Sequence, residues 1–193
     1  MLEYLEEKEP ERAEVKRLMS QVAEALIYIH EEGYVHKDIK LENILIAESD
    51  DEPSTQALLG DFGLCRKSGT GKSGAGTHPF KRYPEPIPVC ASDIWSFGLV
   101  LFTIYIITRN IDAKRRYDFR LRDSQDEVID KLSSHICEED FKRFLGQRLR
   151  CSRPQRRLIY DCVRLPADKR PTAEQLAERL GVNLSMPTIL FDS

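Results

Sequence analysis

Cysteine is sparse and unpatterned in this sequence. Its five residues, Cys65, Cys90, Cys137, Cys151 and Cys162, show no CxxC or other metal-type spacing. An odd count without a framework argues against a disulfide scaffold and for a reducing compartment, so the thiols read as free. A surplus of charge is lacking too: 29 basic and 32 acidic residues leave a net charge of -3. Such a balance excludes a dedicated nucleic-acid or membrane-surface binder. The basic cluster Lys114-Arg115-Arg116 and the run from Arg148 to Arg157 read as solvated faces, balanced by acidic stretches elsewhere. The longest apolar stretch, Ile94 to Ile107, falls short of the roughly 20 residues of a membrane span. Residues 1–30 lack the basic-then-apolar layout of a signal peptide. The expectation is a protein of the cytoplasm or nucleus, not secreted. No internal repeat is present, and 193 residues suffice for one domain or a large part of a bigger one.

What is present is periodic. From Glu11 to Glu32, Val15, Leu18, Met19, Val22, Leu26 and Ile29 recur at steps of three and four, one face of a helix, and Gly33 supplies a left-handed stop. Ile44-Leu45-Ile46 and Ala57-Leu58-Leu59 read as two short strands joined by the acidic loop Glu48 to Gln56. Residues 63–79, rich in Gly, Ser, Lys and Thr, read as a long mobile loop. The segment 93–108 is apolar on nearly every side, which predicts a helix through the middle of the core. Amphipathic segments follow near 124–134, 138–149 and 155–163, and a last helix starts at Thr172 after Pro171 and ends at Gly181. The tail, 182–193, has no clear period and is expected to pack loosely.

The chemistry concentrates in His36-Lys37-Asp38-Ile39-Lys40-Leu41-Glu42-Asn43 and, two strands later, Asp61-Phe62-Gly63. This pair resembles the protein kinase catalytic loop, H-R-D-x-K-x-x-N, followed by D-F-G. Phosphoryl transfer needs an acceptor hydroxyl oriented by a carboxylate and metal ions bridging the phosphates. The resemblance gives Asp38 the first task and makes Asn43 and Asp61 ligands of Mg²⁺, for which amide and carboxylate oxygens suit. Lys40 is implied to meet charge on the transferred phosphate. Lysine at that position is typical of Ser/Thr kinases. Lys37 stands where most of the family has arginine; it keeps the charge but loses the bidentate fork, so control by loop phosphorylation is expected to be weaker.

Further matches lie downstream. Ser92-Asp93-Ile94-Trp95-Ser96-Phe97-Gly98 resembles the start of the family's central helix, whose aspartate, here Asp93, accepts backbone N–H bonds from the catalytic loop. Leu165 to Thr172 resembles the late L-x-x-D-P-x-x-R-P segment, which makes Arg170 the partner of a buried glutamate; Glu85 in Tyr83-Pro84-Glu85 is the candidate. Ser68, Thr70, Ser73 and Thr77 lie in the segment that would control activity, and Thr77 resembles the family's structural threonine near the catalytic Asp and Lys. Gly69-Thr70-Gly71-Lys72-Ser73 is no Walker loop, because Arg66 stands where the first glycine is required.

The fold so implied is α+β and mainly helical: the C-terminal lobe of a protein kinase over residues 1–181, with a small β-hairpin at the catalytic loop and a tail at 182–193. The sequence has no match to the family's Gly-rich loop, its V-A-I-K lysine or the helix carrying that lysine's glutamate, so the N-terminal lobe is read as absent. Only seven residues, 86–92, separate Glu85 from Asp93, fewer than the family pattern implies. The expected function is Ser/Thr protein kinase chemistry with ATP and Mg²⁺ on protein substrates, weak or lost in a chain lacking the N-lobe. The alternative is a non-catalytic scaffold whose partner covers the face the N-lobe would occupy. No nucleic acid or membrane partner is expected.

Overall fold

The computed structural model describes residues 1–8, 10–48, 55–70, 89–107, 143, 146, 151–164 and 166–182. Thr77, Glu85 and the segments near 124–134 and 138–149, apart from 143 and 146, lie outside them. The described chain is mostly helical with two small sheets. Helix α1 is Leu2–Lys8, α2 is Arg12–Glu31 and α3 is Cys90–Ile107; α4 is Arg153–Cys162 and α5 is Ala173–Leu180. Strands β1 (Tyr34–Val35) and β4 (Arg66–Lys67) form one antiparallel pair, and β2 (Ile44–Ala47) and β3 (Gln56–Leu59) form another.

Burial explains the helices. On α2 the apolar stripe Val15, Leu18, Met19, Val22, Leu26 and Ile29 is buried, joined by Ala23, and Gly33 turns the chain with φ 77°. Helix α3 buries Ile94, Trp95, Phe97, Leu99, Val100, Leu101, Phe102, Ile104 and Tyr105, so it has no solvent face over this span. Its buried hydroxyls turn inward on their own backbone: Ser96 Oγ donates to Ser92 O (3.2 Å) and Thr103 Oγ1 to Leu99 O (2.9 Å), which spares them an unsatisfied burial. Helices α4 and α5 each begin with a capping box, Ser152 with Gln155 and Thr172 with Gln175. In each, two orphan N–H groups are satisfied reciprocally. Gly181, at φ 92°, ends α5.

Helix α5 packs along α2, and α4 against α3. The second contact is tight at Gly98, where an added Cβ would stand 2.5 Å from Cys162 Cβ and 3.0 Å from Val163 Cγ1. Cys162 is fully buried there, and desolvation pushes its thiol up to about 12. Two effects oppose each other in Gly98→Ala. Alanine is the better helix former by about 1 kcal/mol, whereas forcing a methyl into a closed contact costs about 1–3 kcal/mol. Neither neighbour is the far end of a flexible chain, so the steric cost wins. Urea unfolding of Gly98→Ala is expected to give a lower midpoint at an unchanged slope; a raised midpoint would mean that the two helices part easily.

The β2–β3 ladder is anchored to α2, since Gln21 Oε1 accepts Ala57 N (2.8 Å). Arg17 adds a clamp: it pairs with Glu14 (2.7 Å) and donates to Thr55 Oγ1 (2.9 Å), just before β3. That arginine holds the Glu14 carboxyl below the usual carboxylate range. One segment departs from the sequence reading. Part of the loop expected over 63–79 is ordered: β4 pairs with β1, and Ser68 N donates to Gly33 O (2.7 Å). Two residues are too few to carry an alternation signal; their pairing is set by the partner strand.

Candidate active site

The β2–β3 register, Ile44 opposite Leu59 and Leu45 opposite Leu58, puts the ends of the two motifs side by side. Asn43 precedes β2 and Gly60 follows β3; Gly60 N donates to Asn43 O at 2.8 Å. Eighteen positions apart in sequence, Asn43 and Asp61 are thereby brought close, since Asn43 makes that backbone bond itself and Asp61 follows its donor by one residue. Asn43 is buried, and its Nδ2 donates to Asp38 O (2.8 Å) and Asp38 Oδ2 (3.0 Å). That leaves Oδ1 as its atom for a cation.

Asp38 is 6% exposed, and Lys40 Nζ lies 2.8 Å from its Oδ2. Lys40 and Asn43 thus meet at one carboxylate oxygen and fix the rotation of the group. Asp61 has the opposite character: it is exposed, with its backbone in the left-handed region at φ 60°, and its Oδ1 accepts from Gly63 N (3.3 Å). A short polar side chain that bonds its own backbone two residues on tolerates this conformation.

His36 is fully buried and bridges the two motifs. Its Nε2 lies 3.0 Å from Gly60 O, which can only accept, and its Nδ1 lies 3.3 Å from Asp38 N, which can only donate. A neutral imidazole with its proton on Nε2 satisfies both. Its ring contacts that of Phe62, with centroids 5.1 Å apart and a tilt of 59°.

Beneath the loop lies Asp93, at 0% exposure. Its Oδ2 accepts from His36 N (2.8 Å) and His30 Nε2 (3.0 Å), and its Oδ1 accepts from Lys37 N (2.9 Å). Lys37 carries φ 72°, a left-handed conformation that costs a non-glycine residue on the order of 1–2 kcal/mol. The two backbone bonds to Asp93 hold the strained turn. His30 was missed by the sequence reading, which placed it within the amphipathic helix; it sits one step past the buried Ile29, and nothing local marks its partner 63 residues on.

Arg170 is buried: its Nε donates to Arg164 O (2.8 Å), one NH to Ala91 O (2.6 Å), and its guanidinium lies 5.1 Å from the Trp95 ring centroid. It ties the segment before α5 to the start of α3. Its expected glutamate, Glu85, and Thr77 lie outside the described residues.

The donor set fits Mg²⁺, which is held by one or two protein oxygens together with waters and substrate phosphates rather than by a full protein cage. Among the described residues no cluster of three or more His, Cys, Asp or Glu could hold a metal by itself. An amide oxygen and an exposed carboxylate just before β2 and just past the end of β3 suit an ion that arrives with a phosphate ligand. Leu45 (55% exposed), Leu58 (49%) and Phe62 (51%) are large apolar side chains in the open, the first two opposite each other on one face of the ladder. Among the described residues no helix is long and apolar enough to cross a membrane.

The chain is also similar to known proteins. The profile of the protein kinase domain family matches residues 1–180. Serine/threonine-protein kinase SBK1 of Danio rerio is 39% identical over 104 residues, covering 45% of this chain and 24% of that protein. Serine/threonine-protein kinase Nek9 of Xenopus laevis is 25% identical over 166 residues, 82% of this chain and 16% of its own length. Tyrosine-protein kinase HTK16 of Hydra vulgaris is 36% identical over 118 residues, 54% of this chain and 15% of its own. The chain spans less than a third of the length of each relative.

Proposed function

Because the chain belongs to the protein kinase family, of the eukaryotic type, we propose that it carries the catalytic loop of a Ser/Thr kinase that transfers the ATP γ-phosphate to protein hydroxyls. The observation that carries the reading is the meeting of Lys40, Asn43 and Asp38 at one carboxylate oxygen. Asp38 is the group that orients the acceptor hydroxyl and takes its proton. Lys40, already beside that carboxylate, is close to where the phosphoryl group passes and offsets charge on it. Asn43 Oδ1 and the Asp61 carboxylate would hold Mg²⁺, which would supply neutralisation of the charge on the phosphates.

Asp93 is a positioning residue: it holds the His36–Lys37 backbone, and through it Asp38. Ser/Thr preference rests on Lys40. The free thiols of Cys65, Cys90, Cys151 and Cys162 support residence in the cytoplasm or nucleus.

A second reading draws on the open face at Leu45, Leu58 and Phe62: a non-catalytic lobe whose partner covers that face. One experiment separates the two. The chain is expressed from its native transcript, with whatever that transcript places ahead of Met1, and incubated with labelled ATP, Mg²⁺ and mixed protein substrates. Phosphoserine and phosphothreonine are expected in the hydrolysate. Label on tyrosine alone would overturn the specificity, and no label would favour the scaffold.

A further inference from the structure

His30 faces two ways: its Nε2 bonds Asp93 at 3.0 Å, and its ring also lines a cavity of about 410 Å³ outside the catalytic loop. Three elements close around that cavity: the end of α2 with His30 and Glu31, the start of α3 with Ile94, and the turn into α5 with Pro171, Ala173 and Glu174. The His30 side chain is only 8% exposed. Asp93 Oδ2 can only accept, so Nε2 carries the proton, and in the neutral ring Nδ1 is left as an acceptor. Glu31 and Glu174 add two carboxylates to the same wall. Asp168, at the rim, is paired with Lys169 (3.5 Å). The strong donors on the wall are engaged elsewhere: the Arg170 guanidinium serves Arg164 O and Ala91 O beside the Trp95 ring, and the capping box of α5 occupies Thr172 and Gln175. What the wall offers a ligand is therefore a ring nitrogen and two carboxylates, a set that matches N–H donors carrying positive charge.

Ile94, Pro171 and Ala173 supply apolar surface between these groups. A volume of this size lies in the range of small-molecule pockets, roughly 300–1,000 Å³. We propose that this cavity binds a small organic cation, a primary amine on an apolar body, and that its occupancy is passed to the catalytic loop through His30 and Asp93. The ammonium donates to His30 Nδ1 and pairs with Glu31 and Glu174, and the body lies against Ile94 and Pro171. Hydrogen bonds in a chain polarise one another, so a cation on Nδ1 makes Nε2 a stronger donor to Asp93. The same carboxylate receives His36 N (2.8 Å) and Lys37 N (2.9 Å), the two backbone groups that hold the strained turn. A change at Asp93 is thus felt where the loop takes its shape. Neither the site nor the relay depends on phosphate transfer by that loop.

Benzylamine and its neutral counterpart benzyl alcohol, titrated calorimetrically into the chain in mildly alkaline buffer, where an ordinary imidazole is neutral, test this. Saturable one-to-one binding of benzylamine is expected, at least tenfold tighter than that of the alcohol. Glu31→Gln, at an exposed position, should weaken it at least fivefold with an unchanged melting curve, and Glu174→Gln should weaken it as well. Asp61→Asn should leave it as it is. With benzylamine saturating, the NMR amide resonances of His36 and Lys37 should shift while those of Leu18 and Val22 stay in place. Absence of saturation, equal affinity for the alcohol, full affinity in either glutamate variant, or loss in Asp61→Asn would overturn the site, the last because it would locate the amine at the catalytic loop. Binding without a shift at His36 and Lys37 would overturn the relay.

Discussion

Asp38→Asn is expected to lower the rate of phosphate transfer by about 10²–10⁴-fold, the range over which a positioned acid–base group acts, while the fold survives. The substitution keeps the shape of the side chain and one acceptor oxygen, so Asn43 Nδ2 can still bond it. It removes the charge that Lys40 meets at 2.8 Å. Lys40 retains 18% exposure, so water partly reaches its ammonium, and the stability cost should fall between the roughly 1 kcal/mol of a surface pair and the roughly 3–5 kcal/mol of a fully buried one. Kinetically the loss should fall on kcat, with the KM for ATP little changed, because the role proposed for Asp38 is on the acceptor hydroxyl and not on the nucleotide. Steady-state transfer by both proteins checks this. An unchanged kcat would remove Asp38 from the role of base and with it the catalytic reading of the loop.

Two kinds of pattern made much of this molecule readable from sequence. The stripe of α2 and the all-apolar α3 were legible because burial imposes helical periodicity on long segments, and their ends differ from expectation by only a few residues. The family was legible because phosphoryl transfer restricts the residue types at fixed spacings in 36–43 and 61–63. Other features leave no local trace. The closeness of Gly98 to Cys162 depends on how two helices pack, and a glycine inside an apolar run reads only as a weak point. His30 looks like any polar residue at a helix end until Asp93 arrives beside it from another element. The pairing of β4 with β1 involves two residues in a polar stretch.

Asp93→Ala should be the most damaging single change to the loop. The wild-type carboxylate is fully buried and receives three N–H donors, two of them from the backbone of His36 and Lys37. Alanine strands all three in a site closed to water. Removing one side of a buried, hydrogen-bonded charge typically costs about 3–5 kcal/mol, and for a chain of this size each kcal/mol lowers Tm by roughly 2–4 °C. A fall on the order of 10 °C is therefore expected. Asp93→Asn should cost less, because its amide oxygen still accepts, but its NH₂ faces a donor and one bond is lost. The strain at Lys37, φ 72°, gives the prediction a local signature that general destabilisation would not. Without Asp93 that turn relaxes toward ordinary backbone, so amide hydrogen exchange at His36 and Lys37 should accelerate far more than at Leu18 or Val22 in the core of α2. Uniform acceleration at all four positions would mean that Asp93 merely supports the core and does not hold the shape of the catalytic loop.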